Sequence, residues 1–100
     1  MDRRLSLHKK LLELAPRAYY QPPSNDRMAY PCFRYNLSNL KIHHANNNIY
    51  TNDKAYLVTY ISLLPEDTII DQMLEKFQYC RFDRHYIGDD LHHYVFVVFY

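Results

Sequence analysis

Apolar residues recur with two different periods along this chain, and the switches between periods mark its elements. Leu7, Leu11, Leu14 and Ala15 fall at i, i+4, i+7 and i+8, with Leu5 and Leu12 flanking, so the spacing predicts an amphipathic helix over residues 2–15. Asp2 stands where an N-cap or first-turn acid belongs, and Pro16 stops the helix by pushing Ala15 out of helical geometry. Ala18-Tyr19-Tyr20 reads as a short extended piece ended by Pro22-Pro23, and Ser24-Asn25-Asp26 is turn chemistry. Pro31–Asn36 reads as a strand with its proline at the start. From Lys54 to Leu64, β-branched and aromatic residues sit on both parities, which predicts a central strand with two covered faces.

Pro65 and the acids after it stop that strand and open a second helix, with Asp67 or Thr68 as its cap. Ile69, Ile70, Met73, Leu74 and Phe77 form its apolar stripe. Tyr79–Ile87 and Leu91–Tyr100 read as a hairpin. Phe82, Arg84 and Tyr86 share one parity of its first strand, and Gly88 is expected to take the positive φ of the turn. The run Tyr94–Tyr100 is apolar on both parities and needs cover on both faces. The fold class that follows is α+β: one domain over residues 1–100, an antiparallel sheet with two amphipathic helices packed on one face. Leu37–Asp53 is polar, Asn-tipped and short of core spacing. It reads as a long hairpin arm or loop, a length that in so small a domain points to function.

Composition narrows the classes. One hundred residues with eleven Tyr and a single Gly leave no room for a Gly-rich phosphate loop or a dinucleotide fingerprint. No apolar run is long enough to span a membrane. Met1–Lys10 is charged and has no apolar core before a small-residue cleavage site. That points to a reducing cytosol, with Cys32 and Cys80 as free, buried thiols. The net charge of +1 conceals an asymmetry. Residues 1–50 hold eight Lys/Arg against three Asp/Glu, a net +5, and residues 51–100 hold four against eight, a net −4. Such blocks are either two solvated surfaces or the complementary ends of a head-to-tail contact.

The six His suggest metal, but His43-His44 and His92-His93 are adjacent pairs. Neighbours on a strand face opposite ways, and no CxxC or HxxxH spacing is present. No motif fixes a nucleophile, so the reading is not an enzyme, with no cofactor and no metal. Interleaved Tyr and basic residues over Arg27–Tyr35 are compatible with stacking on single-stranded nucleic acid. Sheet packing and protein contact explain the same Tyr with fewer assumptions. Asp83-Arg84 stands out, because strand neighbours face opposite ways and cannot simply pair with each other, so each needs a partner across the sheet, across the hairpin or on another subunit.

A resemblance carries this further. Tyr20-Gln21-Pro22-Pro23-Ser24-Asn25, Met28, Tyr30–Tyr35, Asn48-Ile49-Tyr50, Ala55–Ile61, Cys80–Tyr86 and Asp90-Leu91-His92-His93 together resemble small tail-completion proteins of long-tailed, siphovirus-type phages. The order of elements is similar to that of the tail terminator, or tail-to-head joining, class. The resemblance implies a homo-oligomeric ring, a hexamer, in the virion neck after assembly in the host cytoplasm. One face would cap the tube built by the major tail protein, and the other would meet a head-closure or connector protein. DNA would only pass through, and no membrane would be involved. Head-closure proteins one layer up are the alternative, followed by a small nucleic-acid-binding module. The residues expected at the subunit or tube interface are Arg27, Arg34, His43, His44, Asn46, Asn47, Asn48, Tyr50, Asp83, Arg84 and Tyr86.

Deleting residues 43–50 is expected to leave a folded monomer that no longer assembles, as read by circular dichroism and sedimentation. An unfolded deletion variant would show instead that the segment is core.

Overall fold

The computed structural model describes residues 3–21, 29–38 and 54–100. In chain order these form α1 (Arg3–Leu12), β1 (Ala18–Tyr20), β2 (Cys32–Leu37), β3 (Ala55–Ser62), α2 (Thr68–Lys76), β4 (Cys80–Gly88) and β5 (Leu91–Phe99). The strands make one open sheet in the order β1-β2-β3-β5-β4. The fold is α+β, as the periodicity predicts, and β3 is central. The sheet is mixed, however, and not wholly antiparallel: β1 runs parallel to β2, pairing Ala18 with Phe33 and Tyr20 with Tyr35. A three-residue edge carries no alternation long enough to set its direction. Backbone partners set it instead, with Phe33 N–H donating to Arg17 O and Gln21 N–H donating to Tyr35 O.

The α-helix of α1 ends at Leu12, and the expected turn over 13–15 tightens. Leu14 N–H reaches the Leu11 carbonyl three residues back. Leu7, Leu11 and Ala15 remain the buried stripe, while Leu5 and Leu12 are exposed. In α2 the buried positions are Ile69 and Met73, with Phe77 at the C-cap. These residues join Phe33 and Tyr35 of β2, Tyr56, Val58 and Tyr60 of β3, and Tyr94, Phe96 and Val98 of β5 in one core. The strand members are all alternate residues, so both helices cover the same face of the sheet.

Tyrosine hydroxyls tie that face to its helices. Tyr35 Oη hydrogen-bonds His8 Nδ1 at 2.6 Å, and Tyr100 Oη hydrogen-bonds Ser6 Oγ at 2.7 Å, both on α1. At the start of α2, Tyr60 donates to Glu66 Oε2 at 2.5 Å, while Tyr94 accepts from Glu66 N–H and donates to Asp67 Oδ1, each at 3.0 Å. Ser62 adds a hydrogen bond to Glu66 Oε1. Burial pushes the pKa values of Tyr60, Tyr94 and Tyr35 up, so these groups stay protonated. Asp67 occupies the N-cap position of α2 but makes no side-chain cap hydrogen bond. Its carboxylate answers the buried Tyr94 hydroxyl instead, which is the costlier group to leave unpaired.

The β4–β5 turn departs from expectation. Gly88 has no positive φ. The left-handed residues are Asp89 (φ 52°) and Asp90 (φ 62°), closed by the Gly88–Leu91 pair. A two-residue hairpin loop with both central residues at positive φ follows the right-handed twist of its strands, and Asp is among the few side chains that tolerate it. A methyl group added at Gly88 would lie 3.6 Å from His93 Cε1 and 3.6 Å from Tyr86 Cε2, ordinary contact distances. Replacing Asp89-Asp90 with Asn-Gly is therefore expected to raise stability by about 1 kcal/mol. Gly88→Ala should stay within about 0.5 kcal/mol of the parent. Denaturant midpoints of the two variants test this, and the reverse ranking would reject the turn assignment.

Candidate functional site

The register aligns the second face of the sheet into cross-strand rungs. Arg34, Thr59, Val95 and Arg84 form one rung across β2, β3, β5 and β4. Cys32, Ile61, His93 and Tyr86 form the next on one side, and Asn36, Leu57, Val97 and Arg81 the next on the other. The two middle strands carry mostly short or aliphatic side chains, while Arg34 on β2 and Arg81, Arg84 and Tyr86 on β4 are long. Side-chain length alone thus shapes a groove with a largely apolar floor and cationic rims. Its cavity of about 210 Å³ is lined by Arg34, Asn36, Leu57, Thr59, Ile61, Arg84, Tyr86, His93 and Val95. Among the described residues no helix lies on this face.

A β-bulge builds the β4 rim. The pairing jumps from Phe82–Phe96 to Arg84–Val95, leaving Asp83 as the extra residue. Two expectations are corrected by this one insertion. Phe82 and Arg84 do not share a face: Phe82 packs on Phe96 at the core side, and Arg84 lines the groove. Asp83 and Arg84, expected to be unable to pair, do so, with Arg84 Nη1 at 2.5 Å from Asp83 Oδ2. A bulge breaks strict alternation, so two adjacent side chains reach the same side. Both groups are substantially exposed, so the pair adds at most about 1 kcal/mol, and its main effect is to hold the guanidinium at the rim. Arg34, on the opposite rim, has no ion-pair or hydrogen-bond partner among the described residues.

Tyr86 lies flat on His93, with ring centroids 4.5 Å apart and planes 6° apart, and the Arg84 guanidinium sits 5.8 Å from the Tyr86 ring centre. His93 Nδ1–H donates to the Leu91 carbonyl at 3.0 Å, which fixes the ring. His92 faces the other way, as alternation requires. There it stacks on His85, with Nδ1 3.1 Å from His85 Nε2, and His85 in turn packs on Tyr94. Among the described residues no three His, Cys, Asp or Glu side chains group to hold a metal ion.

Of the residues the sequence nominates, Arg34, Arg84 and Tyr86 converge on the groove, and Asp83 joins them through Arg84. Arg27, His43, His44, Asn46, Asn47, Asn48 and Tyr50, with most of the Leu37–Asp53 arm, lie outside the described residues. His93, Arg81 and the floor residues Thr59 and Val95 are additions. Alternation within β3 and β5 signals their parity, but only strand order and register place them between Arg34 and Arg84.

Cys32 closes one end of the second face, and Cys80 lies on the core side at β4. Three strand spacings, roughly 14 Å, and opposite faces separate them, so they do not pair with each other. Cys32 is buried as expected, but Cys80, on the edge strand, is only half-buried; desolvation pushes each thiol up to about 11, with Arg17 pulling Cys32 down. No family model, curated protein or solved structure matches this chain. Among the described residues no helix is long and apolar enough to cross a membrane.

Native protein at pH 7.5 is expected to react with an aromatic disulfide reagent at least a hundredfold more slowly than unfolded protein at the buried Cys32, with weaker protection at the half-buried Cys80. Stopped-flow absorbance of Cys32→Ser and Cys80→Ser variants checks this, and rapid titration of Cys32 in the native state would contradict the burial described.

Proposed function

We propose that this chain is a virion structural protein of a long-tailed phage, a tail terminator that closes a ring on the end of the tail tube and offers a docking surface to the head. The name of the assembly rests on the sequence resemblance. The observation that carries the assembly reading is the β4 edge. β4 is nine residues long, stands last in the sheet, and has no fully buried residue. The free backbone groups along so long an edge template pairing with another chain. The bulge at Asp83 and the charges around it restrict which chain is accepted. Exposed Tyr86 and Ile87 on the same strand supply apolar contact area.

In this role the protein performs no chemistry. It stops tube growth by occupying the terminal subunits' free surface and recruits the head by shape and charge complementarity. DNA passes through the ring with weak, salt-sensitive contact at most.

The test is the mass of the purified protein in solution, with and without tail tubes, followed by electron microscopy of tube ends. A hexamer-sized species, or a monomer recruited to tube ends as a ring, is expected. A monomer that neither assembles nor binds tube ends would reject the reading. Binding to DNA-filled heads and not to tubes would move the protein to the head-closure layer.

A further inference from the structure

We propose that the groove between Arg34 and Arg84 is the socket for helix α2 of the next copy, so that protomers join head to tail through the second face of one sheet and the outer face of its neighbour's helix. This contact rests on the ring reading above and specifies its subunit interface.

Charge and shape both select α2. The rims carry Arg34, Arg81 and Arg84 against the single acid Asp83. On α2, Ile69 and Met73 face the protein's own core, and Asp71 and Glu75 lie one turn apart on the exposed side. Neither acid has an ion-pair partner among the described residues. Leu74, beside them, is 44% exposed, an aliphatic side chain with no place in its own core. The two carboxylates form one acidic stripe with Leu74 to its side, a charge complement to the guanidinium groups of the rims. The Arg34 and Arg84 backbones are three strands, roughly 14 Å, apart, and a helix is about 10 Å across. Docking would bury the partly exposed Leu57, Thr59 and His93 of the floor, whose neighbours Ile61, Val95 and Val97 are already buried.

The geometry dictates the symmetry. α2 and the groove lie on opposite faces of the same sheet, so two copies cannot exchange the contact reciprocally. A heterologous contact repeats from copy to copy and closes into a ring when its rotation permits.

Charge reversal tests this without a known ligand. One variant carries Arg34→Glu with Arg84→Glu, and the other carries Asp71→Lys with Glu75→Lys. All four side chains are exposed, so both variants are expected to keep the parent unfolding midpoint. Should reversal lower it, the neutral pair Arg34→Gln with Arg84→Gln replaces it, with a smaller loss expected. Each variant alone should assemble at least tenfold more weakly than wild type, by sedimentation in solution or on added tail tubes. An equimolar mixture should recover assembly, because every contact in an alternating ring is again between opposite charges.

Wild-type-like assembly of either reversed variant alone, or a mixture that stays unassembled, would overturn the proposal while leaving the ring reading intact. A wild-type protein that never assembles would sink both. A fluorescein-labelled oligothymidylate of twenty residues supplies the competing arm. If the arginine reversal abolishes its binding and leaves assembly unchanged, the groove is a nucleic-acid surface and the proposal fails.

Discussion

The architecture depends on satisfying tyrosine hydroxyls buried at the boundary between sheet and helices. A tyrosine brings a large apolar ring into the core together with a polar group, and leaving that group unpaired costs about 1–3 kcal/mol. A domain of this size has only about 5–15 kcal/mol in total, so several such losses would unfold it. The protein resolves four such cases at a helix. Tyr35 and Tyr100 meet His8 and Ser6 on α1, and Tyr60 and Tyr94 meet Glu66 and Asp67 where α2 begins. These contacts give the helices a register that apolar packing, which is not directional, leaves loose. They also explain why Asp67 abandons its capping role.

Because the tyrosines draw both helices to one face, the other face is left to a different chemistry. Its middle strands present Thr59, Val95 and Ile61, and its outer strands present arginines and Tyr86. Whether Arg84 belongs to the core side or the groove is decided by one inserted residue. Without the bulge at Asp83, strict alternation would set Phe82 and Arg84 on one face and Asp83 on the other. With it, Phe82 completes the core against Phe96, and Asp83 steadies Arg84 at the rim. The same insertion interrupts the free edge of β4, so a single irregularity both shapes the candidate site and limits indiscriminate pairing of that edge.

The sequence by itself determined the elements and their class. The 3.6-residue stripe of Leu7, Leu11 and Ala15, the stripe of Ile69 and Met73, and the two-sided apolar runs of β3 and β5 arise from local periodicity, which each segment carries alone. The opposite orientation of His92 and His93 follows from the same alternation. What the tertiary structure decided are the relations between segments. The parallel direction of β1 comes from backbone hydrogen bonds to residues far along the chain, and the positive φ at Asp89 and Asp90 comes from the twist of the two strands they join. The pairing of Asp83 with Arg84 comes from a bulge defined only against β5. The groove is the extreme case. Arg34 and Arg84 are fifty positions apart, and Thr59 and Val95 come between them only because β3 and β5 lie between β2 and β4. Strand order is a long-range property set by competition among all possible pairings, and no local pattern encodes it.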